Sequence, residues 1–224
     1  MKTTLLIPTL NEIDGMRAIM PKIKREWVNQ ILIVDGGSTD GTIEYAKKNK
    51  YDIIVQKTRG IGNGYREALP HVKGDIIITF SPDGNSIPEI IPDLVNKMKE
   101  DYDLVIVSRY AQGAKSYDDD IFTKIGNKIF TLTINLLFGG NYTDTLVIYR
   151  AYKKKIIEEL KIDAPHLTFE EQMSIRAAQK NLKIGEIPGD EPKRLGGERK
   201  MKVLHTGSTL ILEIFKNFLF PKVK

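Results

Sequence analysis

Short apolar runs recur along the first half of the chain, and each is followed by a polar segment rich in glycine, acids or hydroxyl side chains. Short runs with many β-branched side chains predict buried strands, and the longer mixed stretches between them predict helices. The predicted strands are residues 3–7, 30–34, 53–56, 75–80 and 103–108. Strands that alternate with helices predict an α/β fold with a mainly parallel central sheet.

A polar loop follows each predicted strand. The loops are PTLNE (first loop, residues 8–12), DGGSTDG (second loop, 35–41), RGIGNGY (third loop, 59–65), SPDGNS (fourth loop, 81–86) and RYAQG (fifth loop, 109–113). Right-handed crossovers place the carboxyl ends of parallel strands on one edge of the sheet, where such sheets bind ligands. We therefore expect the five loops to converge on one cleft.

The second loop begins at Asp35, directly after the apolar run 31–34. Gly37 and the glycine before it allow a tight turn, and Ser38 or Asp40 would cap the helix that follows. A carboxylate at this position suits a hydrogen-bond donor, such as a ribose hydroxyl or a base N–H, better than it suits a phosphate. The loop therefore suggests a nucleoside-binding site, although an ordinary strand–turn–helix with a solvated aspartate would show the same pattern.

Composition limits the number of domains, the kinds of metal site, the location and the partners that this chain can have. The 224 residues contain no low-complexity tract, so we expect one domain over residues 1–206 with an amphipathic helical appendage over 207–224. Zero cysteines exclude disulfides and thiolate metal sites. A strand predicted from residue 3 leaves no room for a signal peptide, and no apolar run approaches the ~20 residues that span a bilayer, so we expect a cytoplasmic protein. The net charge of +5, with its surplus late in the chain, implies anionic partners.

In this order the loops resemble those of the family-2 glycosyltransferases, and among them the dolichyl-phosphate mannose synthases and other polyprenyl-phosphate glycosyltransferases. The resemblance extends from about residue 3 to residue 207 and rests mainly on PTLNE and on VDGGSTDGT (34–42). Looser matches are SRY (108–110), DTLVIYRAY (144–152), MSIRAAQKNLKIGEIP (173–188) and RLGGERK (194–200). It implies the A-type, Rossmann-like nucleotide-sugar-binding fold and the transfer of a sugar from a nucleoside-diphosphate sugar.

The resemblance also implies roles for individual residues. The nucleoside would be held by Pro8, Asn11, Glu12 and Asp35, the metal and diphosphate would meet Asp83, and phosphate groups would face Arg109 and Arg194. Two further nucleotide-binding candidates come from the loops themselves, Gly37 in the second loop and Arg59 in the third. The third loop lacks the lysine–serine ending of a P-loop, so we interpret it as a turn that lets the backbone approach the nucleotide.

The fourth loop departs from the family at the metal site. Relatives usually carry two acids separated by one residue, whereas here Ser81 replaces the first acid and only Asp83 is left. Mg²⁺ commonly needs one or two carboxylates plus substrate phosphates, so Asp83, assisted by Asn85, would bridge Mg²⁺ or Mn²⁺ to a diphosphate. A plain Pro-Asp-Gly turn is the competing interpretation.

Two apolar stripes help to distinguish a lipid-linked sugar acceptor from a soluble one. A helix is predicted over 118–140, with three acids at its N-terminus, Gly139 and Gly140 at its end, and an apolar stripe between them. A second stripe near the C-terminus lies beside lysines and consists of Ile211, Ile214, Phe215 and Phe218. Packing against the domain or in a homodimer would bury the stripes, and so would a membrane surface, where basic residues beside apolar ones favour an interfacial anchor.

The class of acceptor decides whether a base is needed. A polyprenyl phosphate is already largely ionised near neutral pH, so arginines and lysines such as Arg109, Lys124 and Arg194 would only position it. A hydroxyl acceptor must lose a proton, and Glu170 or Glu171 would then be the base. The position at which relatives have a glutamate is Gln172 here, which leaves the acceptor class open. Direct displacement inverts the anomeric centre in either case.

Two other classes of function remain open. A sugar-nucleotide nucleotidylyltransferase would begin with a glycine-rich, arginine-containing first loop, whereas this chain has PTLNE. A non-catalytic nucleotide-binding or RNA-binding module would use the basic residues 193–202, but these lack the interleaved aromatic side chains that stack on bases, so we expect no nucleic-acid partner. The favoured partners are therefore a nucleoside-diphosphate sugar and a lipid-linked acceptor at the cytoplasmic face of a membrane.

Overall fold

The computed structural model describes residues 1–195 and 203–223, with side chains in the last helix from residue 206 onward. Seven strands form one sheet: β1 (Thr3–Thr9), β2 (Gln30–Asp35), β3 (Asp52–Val55), β4 (Ile76–Thr79), β5 (Leu104–Ser108), β6 (Arg150–Lys153) and β7 (Ile184–Pro188). Their order across the sheet is β3-β2-β1-β4-β6-β5-β7. Only the pairs that β6 makes with β4 and β5 are antiparallel among these described strands. The predicted α/β fold with a mainly parallel sheet is confirmed.

Eight α-helices lie in the described part of the chain. They are α1 (Ile13–Ile19), α2 (Thr42–Lys48), α3 (Ile61–Ala68), α4 (Ile91–Met98), α5 (Ile121–Phe138), α6 (Ile156–Glu159), α7 (Thr168–Gln179) and α8 (Val203–Leu219). Short 3₁₀ turns cover Met20–Lys22, Arg25–Trp27, Leu69–His71 and Pro88–Ile90. The boundary predicted at residue 207 falls inside α8, and a separate C-terminal unit stays a prediction.

Two apolar clusters cover the two faces of the sheet. Alternate strand residues point to opposite faces, so Leu6 joins the cluster under α3, α5 and α7, while Leu5 and Ile7 join the cluster under α1 and α4. The first five strands run in the same direction because β4 and β5 are both antiparallel to β6. The five loops therefore lie at the same edge of the sheet, as expected.

Helix α5 is apolar on the side that faces away from the protein. Its N-cap is Asp120, whose side chain accepts a hydrogen bond from the Thr123 N–H at 2.7 Å, and it ends at Gly139 with a φ of 74°. The buried face contains two polar residues, Asn127 and Thr131, whereas the predicted apolar stripe is exposed. The helix lies within the predicted range of 118–140 and starts three residues later. Most of its apolar stripe faces away from the protein, opposite to the usual orientation of an amphipathic surface helix.

Candidate active site

Hydrogen bonds lock the first and second loops together. The Asn11 N–H donates to Ser38 Oγ at 2.8 Å, and the Thr39 N–H donates back to Asn11 Oδ1 at 2.9 Å. Asp40 accepts from the Ile13 N–H at 3.0 Å through Oδ2, and its Oδ1 accepts from the Thr42 N–H at 3.0 Å. Asp40 therefore holds the first turns of both α1 and α2, and the two loops form one rigid wall of the cleft.

Asp35 uses its carboxylate within this wall. Its Oδ1 accepts from the N–H groups of Gly37 and Ser38 at 2.8 and 2.7 Å. Its Oδ2 accepts from the hydroxyls of Thr9 and Ser38, both at 2.7 Å. A carboxylate has about four acceptor sites, and Asp35 is fully buried, so its own chain occupies them all. Direct contact of Asp35 with the nucleoside stays a prediction that this geometry does not favour, because a ligand would first have to displace one of these donors.

Other nucleotide-binding candidates flank Asp35. Gly37 has a φ of +94°, and nothing lies within 4 Å of where its Cβ would be, so its backbone is open to a ligand. Asn11 is exposed with a φ of 55°, Pro8 is half-buried, and Glu12 is buried at the start of α1. The wall can therefore present backbone and amide groups to a nucleoside while Asp35 fixes its shape.

The fourth loop carries the candidate metal ligands. Asp83 is buried, and its Oδ1 accepts from the Asn85 N–H at 3.1 Å while its Oδ2 lies 3.2 Å from a terminal nitrogen of Arg194. The Asn85 amide donates to Asp118 Oδ2 at 3.1 Å. The Asn85 Oδ1 atom is buried and has no hydrogen-bond partner among the described residues. A carboxylate and an amide oxygen thus lie two residues apart in one turn.

These oxygen atoms fit a hard divalent cation. Within residues 1–195 and 206–223, no group of three His, Cys, Asp or Glu side chains could hold a metal ion. Mg²⁺ is nevertheless bound by one or two carboxylates when substrate phosphates supply further ligands. Asp83 and the unpartnered Asn85 oxygen match that requirement only together with a diphosphate. Ser81 contributes no charge, as the sequence implies.

Arg109 of the fifth loop is enclosed by acids. Its Nε and one terminal nitrogen bind Asp144 at 2.6 and 3.0 Å, and the other terminal nitrogen lies 3.4 Å from Asp119 and 3.3 Å from Glu191. Burial alone would raise the pKa of Asp144, but the charge and hydrogen bonds of Arg109 hold it below its ordinary value. The guanidinium is thus engaged within the protein, and its predicted role as a phosphate ligand stays a prediction that this geometry does not favour.

Asp144 also connects Arg109 to α5. The Asn127 side-chain amide donates to Asp144 Oδ1 at 3.1 Å, and the Thr131 hydroxyl donates to Asn127 Oδ1 at 3.1 Å. This chain explains why α5 turns polar residues inward. Sequence reasoning missed Asp144 as part of the site, although it stands first in the DTLVIYRAY motif. Asp118, for which the sequence pattern predicts only a helix-terminal charge, also belongs to the site through its hydrogen bond with Asn85.

Two glycines of the third loop pack against the backbone that precedes α7. A Cβ on Gly60 would lie 2.2 Å from the Pro165 carbonyl oxygen, and one on Gly62 would lie 2.1 Å from the Ala164 carbonyl oxygen. The close backbone approach is therefore made to residues 164–165, just before α7. The expected approach of this turn to the nucleotide stays a prediction that this packing does not favour. Arg59 is exposed at the start of this loop, and its nucleotide-binding role stays a prediction.

The candidate bases lie in the interior. Glu170 and Glu171 are buried at the start of α7, and their carboxyl oxygens have no hydrogen-bond partner within the described residues. Burial raises the pKa of Glu170 to about 7, and burial together with Glu213 raises the pKa of Glu171 well above its ordinary value. Both carboxyl groups are enclosed in the interior rather than exposed to an acceptor, so the base role of Glu171 stays a prediction without geometric support.

An exposed apolar surface covers α5 and α8, which pack together through Phe138 and Phe218 with ring centroids 6.4 Å apart. Leu136 is 81% exposed and Phe122 is 77% exposed. We call this surface the apolar face; its exposed members are Ile121, Phe122, Ile125, Ile129, Leu132, Leu136, Leu137, Ile211, Leu212, Phe215, Phe218, Leu219 and Phe220. Ile214, in contrast, is buried against the domain. No helix in the described residues is long and apolar enough to cross a membrane.

The model of the Glycosyl transferase family 2 matches residues 4–161 of this chain, which therefore belongs to that family. It is an enzyme that transfers sugars from nucleotide sugars. This membership sets aside a nucleotidylyltransferase or a non-catalytic nucleotide-binding module.

Curated relatives cover most of the chain. It is 25% identical to glycosyltransferase AglJ of Haloferax volcanii, over 95% of this chain and 70% of that protein. It is 28% identical to a dolichol-phosphate mannosyltransferase of Pyrococcus furiosus, over 90% of this chain and 60% of that protein. It is 29% identical to an undecaprenyl-phosphate mannosyltransferase of Micrococcus luteus, over 90% of this chain and 88% of that protein.

Solved structures confirm the A-type fold. Glucosyl-3-phosphoglycerate synthase from Mycobacterium tuberculosis, in complex with Mn²⁺, UDP and glucosyl-3-phosphoglycerate, superposes with a TM-score of 0.73 at 20% identity. The match covers 99% of this chain and 81% of that one. The same enzyme in complex with Mg²⁺ and UDP gives a TM-score of 0.73 at 19% identity, covering 99% of this chain and 80% of that one.

Proposed function

We propose that this enzyme transfers a sugar from a nucleoside-diphosphate sugar to a polyprenyl phosphate at the surface of a membrane, with inversion at the anomeric carbon. The observation that carries the lipid acceptor is the position of the apolar face. Helix α5 begins three residues after Asp118, whose carboxylate accepts a hydrogen bond from the Asn85 amide in the candidate metal loop. A lipid docked on α5 would therefore bring its phosphate group to the edge of the cleft.

Three further observations support this acceptor. Two of the relatives are named as dolichol-phosphate and undecaprenyl-phosphate mannosyltransferases. Lys124 and Lys128 are exposed on α5 beside the apolar side chains, where they would attract anionic headgroups. The buried Glu170 and Glu171 suit an acceptor that needs no protein base, because a phosphate monoester is already largely ionised near neutral pH.

The donor would bind between the first, second and fourth loops. The wall shaped by Asp35 would present Asn11 and the Gly37 backbone to the nucleoside, and Asp83 with Asn85 would hold Mg²⁺ or Mn²⁺ at the diphosphate. When bound, the metal ion would neutralise the charge that develops on the departing nucleoside diphosphate. Structural neighbours bind UDP with Mn²⁺ or Mg²⁺, which supports this arrangement. Arg194 would add a second positive charge beside Asp83 and the diphosphate.

A thermal-shift panel tests the donor. The protein is heated with UDP-, GDP-, CDP- and TDP-sugars, with and without Mg²⁺ or Mn²⁺. A ligand at 100 times its dissociation constant should add ~2.7 kcal/mol of stability. We expect one nucleotide to stabilise the protein more strongly with metal than without, and Asp83→Asn to remove that metal-dependent part. If no nucleotide sugar stabilises the protein in any condition, the proposed donor cleft is wrong.

Separate assays with liposomes and acceptors test the lipid. A folded protein that ignores liposomes and polyprenyl phosphate, yet transfers sugar to a water-soluble hydroxyl, would refute the lipid acceptor and leave the family membership intact. A folded protein whose apolar face is covered by a second copy of the chain would appear as a stable dimer by light scattering. In that case the apolar face would be a subunit interface rather than a membrane contact.

A further inference from the structure

Arg194 forms an ion pair with Asp83, the carboxylate that the proposed function assigns to the metal. Its terminal nitrogen lies 3.2 Å from Asp83 Oδ2, and the two side chains are only 22% and 8% exposed. The other carboxylate oxygen accepts from the Asn85 N–H at 3.1 Å. Because Ser81 is uncharged, Asp83 is the one acid in the fourth loop, and the guanidinium neutralises it.

Backbone hydrogen bonds hold Arg194 in this position. Residues 191–195, which we call the strap, cross from the segment after the fifth loop to the fourth loop. The Tyr117 N–H donates to the Glu191 carbonyl at 2.8 Å, and the Leu195 N–H donates to the Asp83 carbonyl at 2.8 Å. A Cβ on Gly84 would lie 2.7 Å from the Leu195 side chain, so the strap rests directly on the metal loop.

Two atoms of this cluster lack hydrogen-bond partners in the described part of the chain. They are the buried Nε of Arg194, which is a donor, and the buried Oδ1 of Asn85, which is an acceptor. A buried donor and acceptor without partners cost stability unless a ligand satisfies them. A diphosphate oxygen would accept from the arginine, and a cation would take the amide oxygen. The unpartnered atoms therefore match a nucleotide and a metal arriving together.

We propose that Arg194 is an internal counter-ion that holds Asp83 until the donor diphosphate arrives, so that the metal ion binds together with the nucleotide and only weakly alone. The inference rests on the proposed function of the fourth loop. Without nucleotide, a cation meets a carboxylate that already carries a positive partner. The diphosphate offers the guanidinium stronger acceptors, and its transfer frees Asp83 Oδ2 for the cation.

Titration of Mn²⁺ followed by electron paramagnetic resonance tests this order of binding. The full chain is titrated alone and with UDP or GDP, and Asp83→Asn provides the correction for Mn²⁺ held by free nucleotide. We expect the wild-type protein to bind Mn²⁺ at least tenfold more weakly without nucleotide than with it. Arg194→Gln should bind Mn²⁺ alone at least tenfold more tightly than wild type and lose most of its dependence on nucleotide.

Two control variants separate the ion pair between Arg194 and Asp83 from the effect of positive charge elsewhere on the strap. Lys193→Gln removes the same formal charge one residue away, from an exposed side chain, and should leave Mn²⁺ binding as in wild type. Arg194→Lys keeps a cation beside Asp83 and should keep Mn²⁺ binding weak without nucleotide. Near-ultraviolet circular dichroism checks that each variant is folded.

Several outcomes would overturn the inference. Wild-type protein that binds Mn²⁺ equally well with and without nucleotide contradicts it, as does an Arg194→Gln variant that gains no affinity for Mn²⁺ alone. Neither result would refute the proposed function in sugar transfer. Absence of Mn²⁺ binding in every condition would remove both the metal site and the inference. Absence of transfer from any nucleotide sugar would refute the proposed function whatever the Mn²⁺ titration gives.

Discussion

The apolar face allows a prediction that separates membrane contact from folding. Leu132 and Leu136 are 65% and 81% exposed on α5, whereas Ile134 between them is fully buried. We expect the double substitution Leu132→Ser and Leu136→Ser to change the free energy of unfolding by less than ~1 kcal/mol, because surface substitutions usually have small effects. The matched control Ile134→Ala should cost ~2–5 kcal/mol, since it leaves a cavity in the core.

On membrane binding, we expect the double leucine variant to have a larger effect than Ile134→Ala. Full burial of a leucine side chain is worth roughly 1.5–3 kcal/mol, so two leucines of this exposure contribute about 3 kcal/mol to a lipid contact. The Leu132/Leu136 variant should therefore bind anionic liposomes about a hundredfold more weakly in a sedimentation assay. Wild-type binding should also fall with salt because Lys124 and Lys128 lie beside the apolar side chains. Unchanged liposome binding by the folded double variant would refute the assignment of the apolar face to lipid.

Three further predictions concern polar groups of the interior and the cleft. Asp35→Asn should lower both the melting temperature and nucleotide affinity, because the new amide nitrogen cannot accept from the donors that now surround it; a variant with weaker nucleotide binding and wild-type stability would restore direct contact. Glu170→Gln should remove ~3 kcal/mol from the pH dependence of the free energy of unfolding. The raised pKa of about 7 gives the wild type a stability that is full below pH 4.5 and is lost as pH rises to about 7. If the free energy of unfolding, measured with urea, changed with pH by the same amount in variant and wild type, this prediction would be contradicted. Arg109→Lys should lower the melting temperature by several degrees, because lysine cannot keep the paired contact with Asp144; unchanged stability with reduced transfer would instead favour phosphate binding.

The strand positions were predictable because burial leaves a simple pattern. The first two predicted strands begin at the same residues as β1 and β2. No end of the other three predicted strands differs from the observed end by more than one residue. Strand β7 was not predicted, since it reads Ile-Gly-Glu-Ile-Pro, with a glycine and a glutamate inside it. Strand β6 was not predicted because it is four residues long and reads Arg-Ala-Tyr-Lys, with a charged residue at each end. Its polar ends are accommodated because Arg150 donates to the Glu170 and Val147 carbonyls in the interior.

The convergence of the loops was also predictable, but the partner of each side chain was not. The sequence marked Asp35, Asp83 and Arg109 as charged residues after predicted strands, and the family resemblance marked Arg194. The direction of the strands followed from their alternation with helices. Whether each charge faces a ligand or another residue depends on contacts between distant segments. Asp144 reaches Arg109 from 35 residues away, and Arg194 reaches Asp83 over a longer separation. Such long-range pairs leave no periodic signal in one sequence.

The orientation of α5 shows a similar limit. Its apolar stripe was visible in the sequence, and burial against the domain, burial in a dimer and contact with a membrane all fitted it. The inward position of Asn127 follows from its hydrogen bond to Asp144, which the pattern alone does not reveal. The apolar side chains were therefore left outside by a polar contact on the other side of the helix.

The central claim is tested most directly by following a radiolabelled sugar from the stabilising nucleotide sugar into an organic phase that contains polyprenyl phosphate. We predict that label enters the lipid phase with wild-type protein and metal, that Asp83→Asn abolishes this transfer, and that NMR of the product shows the inverted anomeric configuration. Label that stays in the aqueous phase with polyprenyl phosphate, but enters a water-soluble glycoside when a hydroxyl acceptor is supplied, would contradict it.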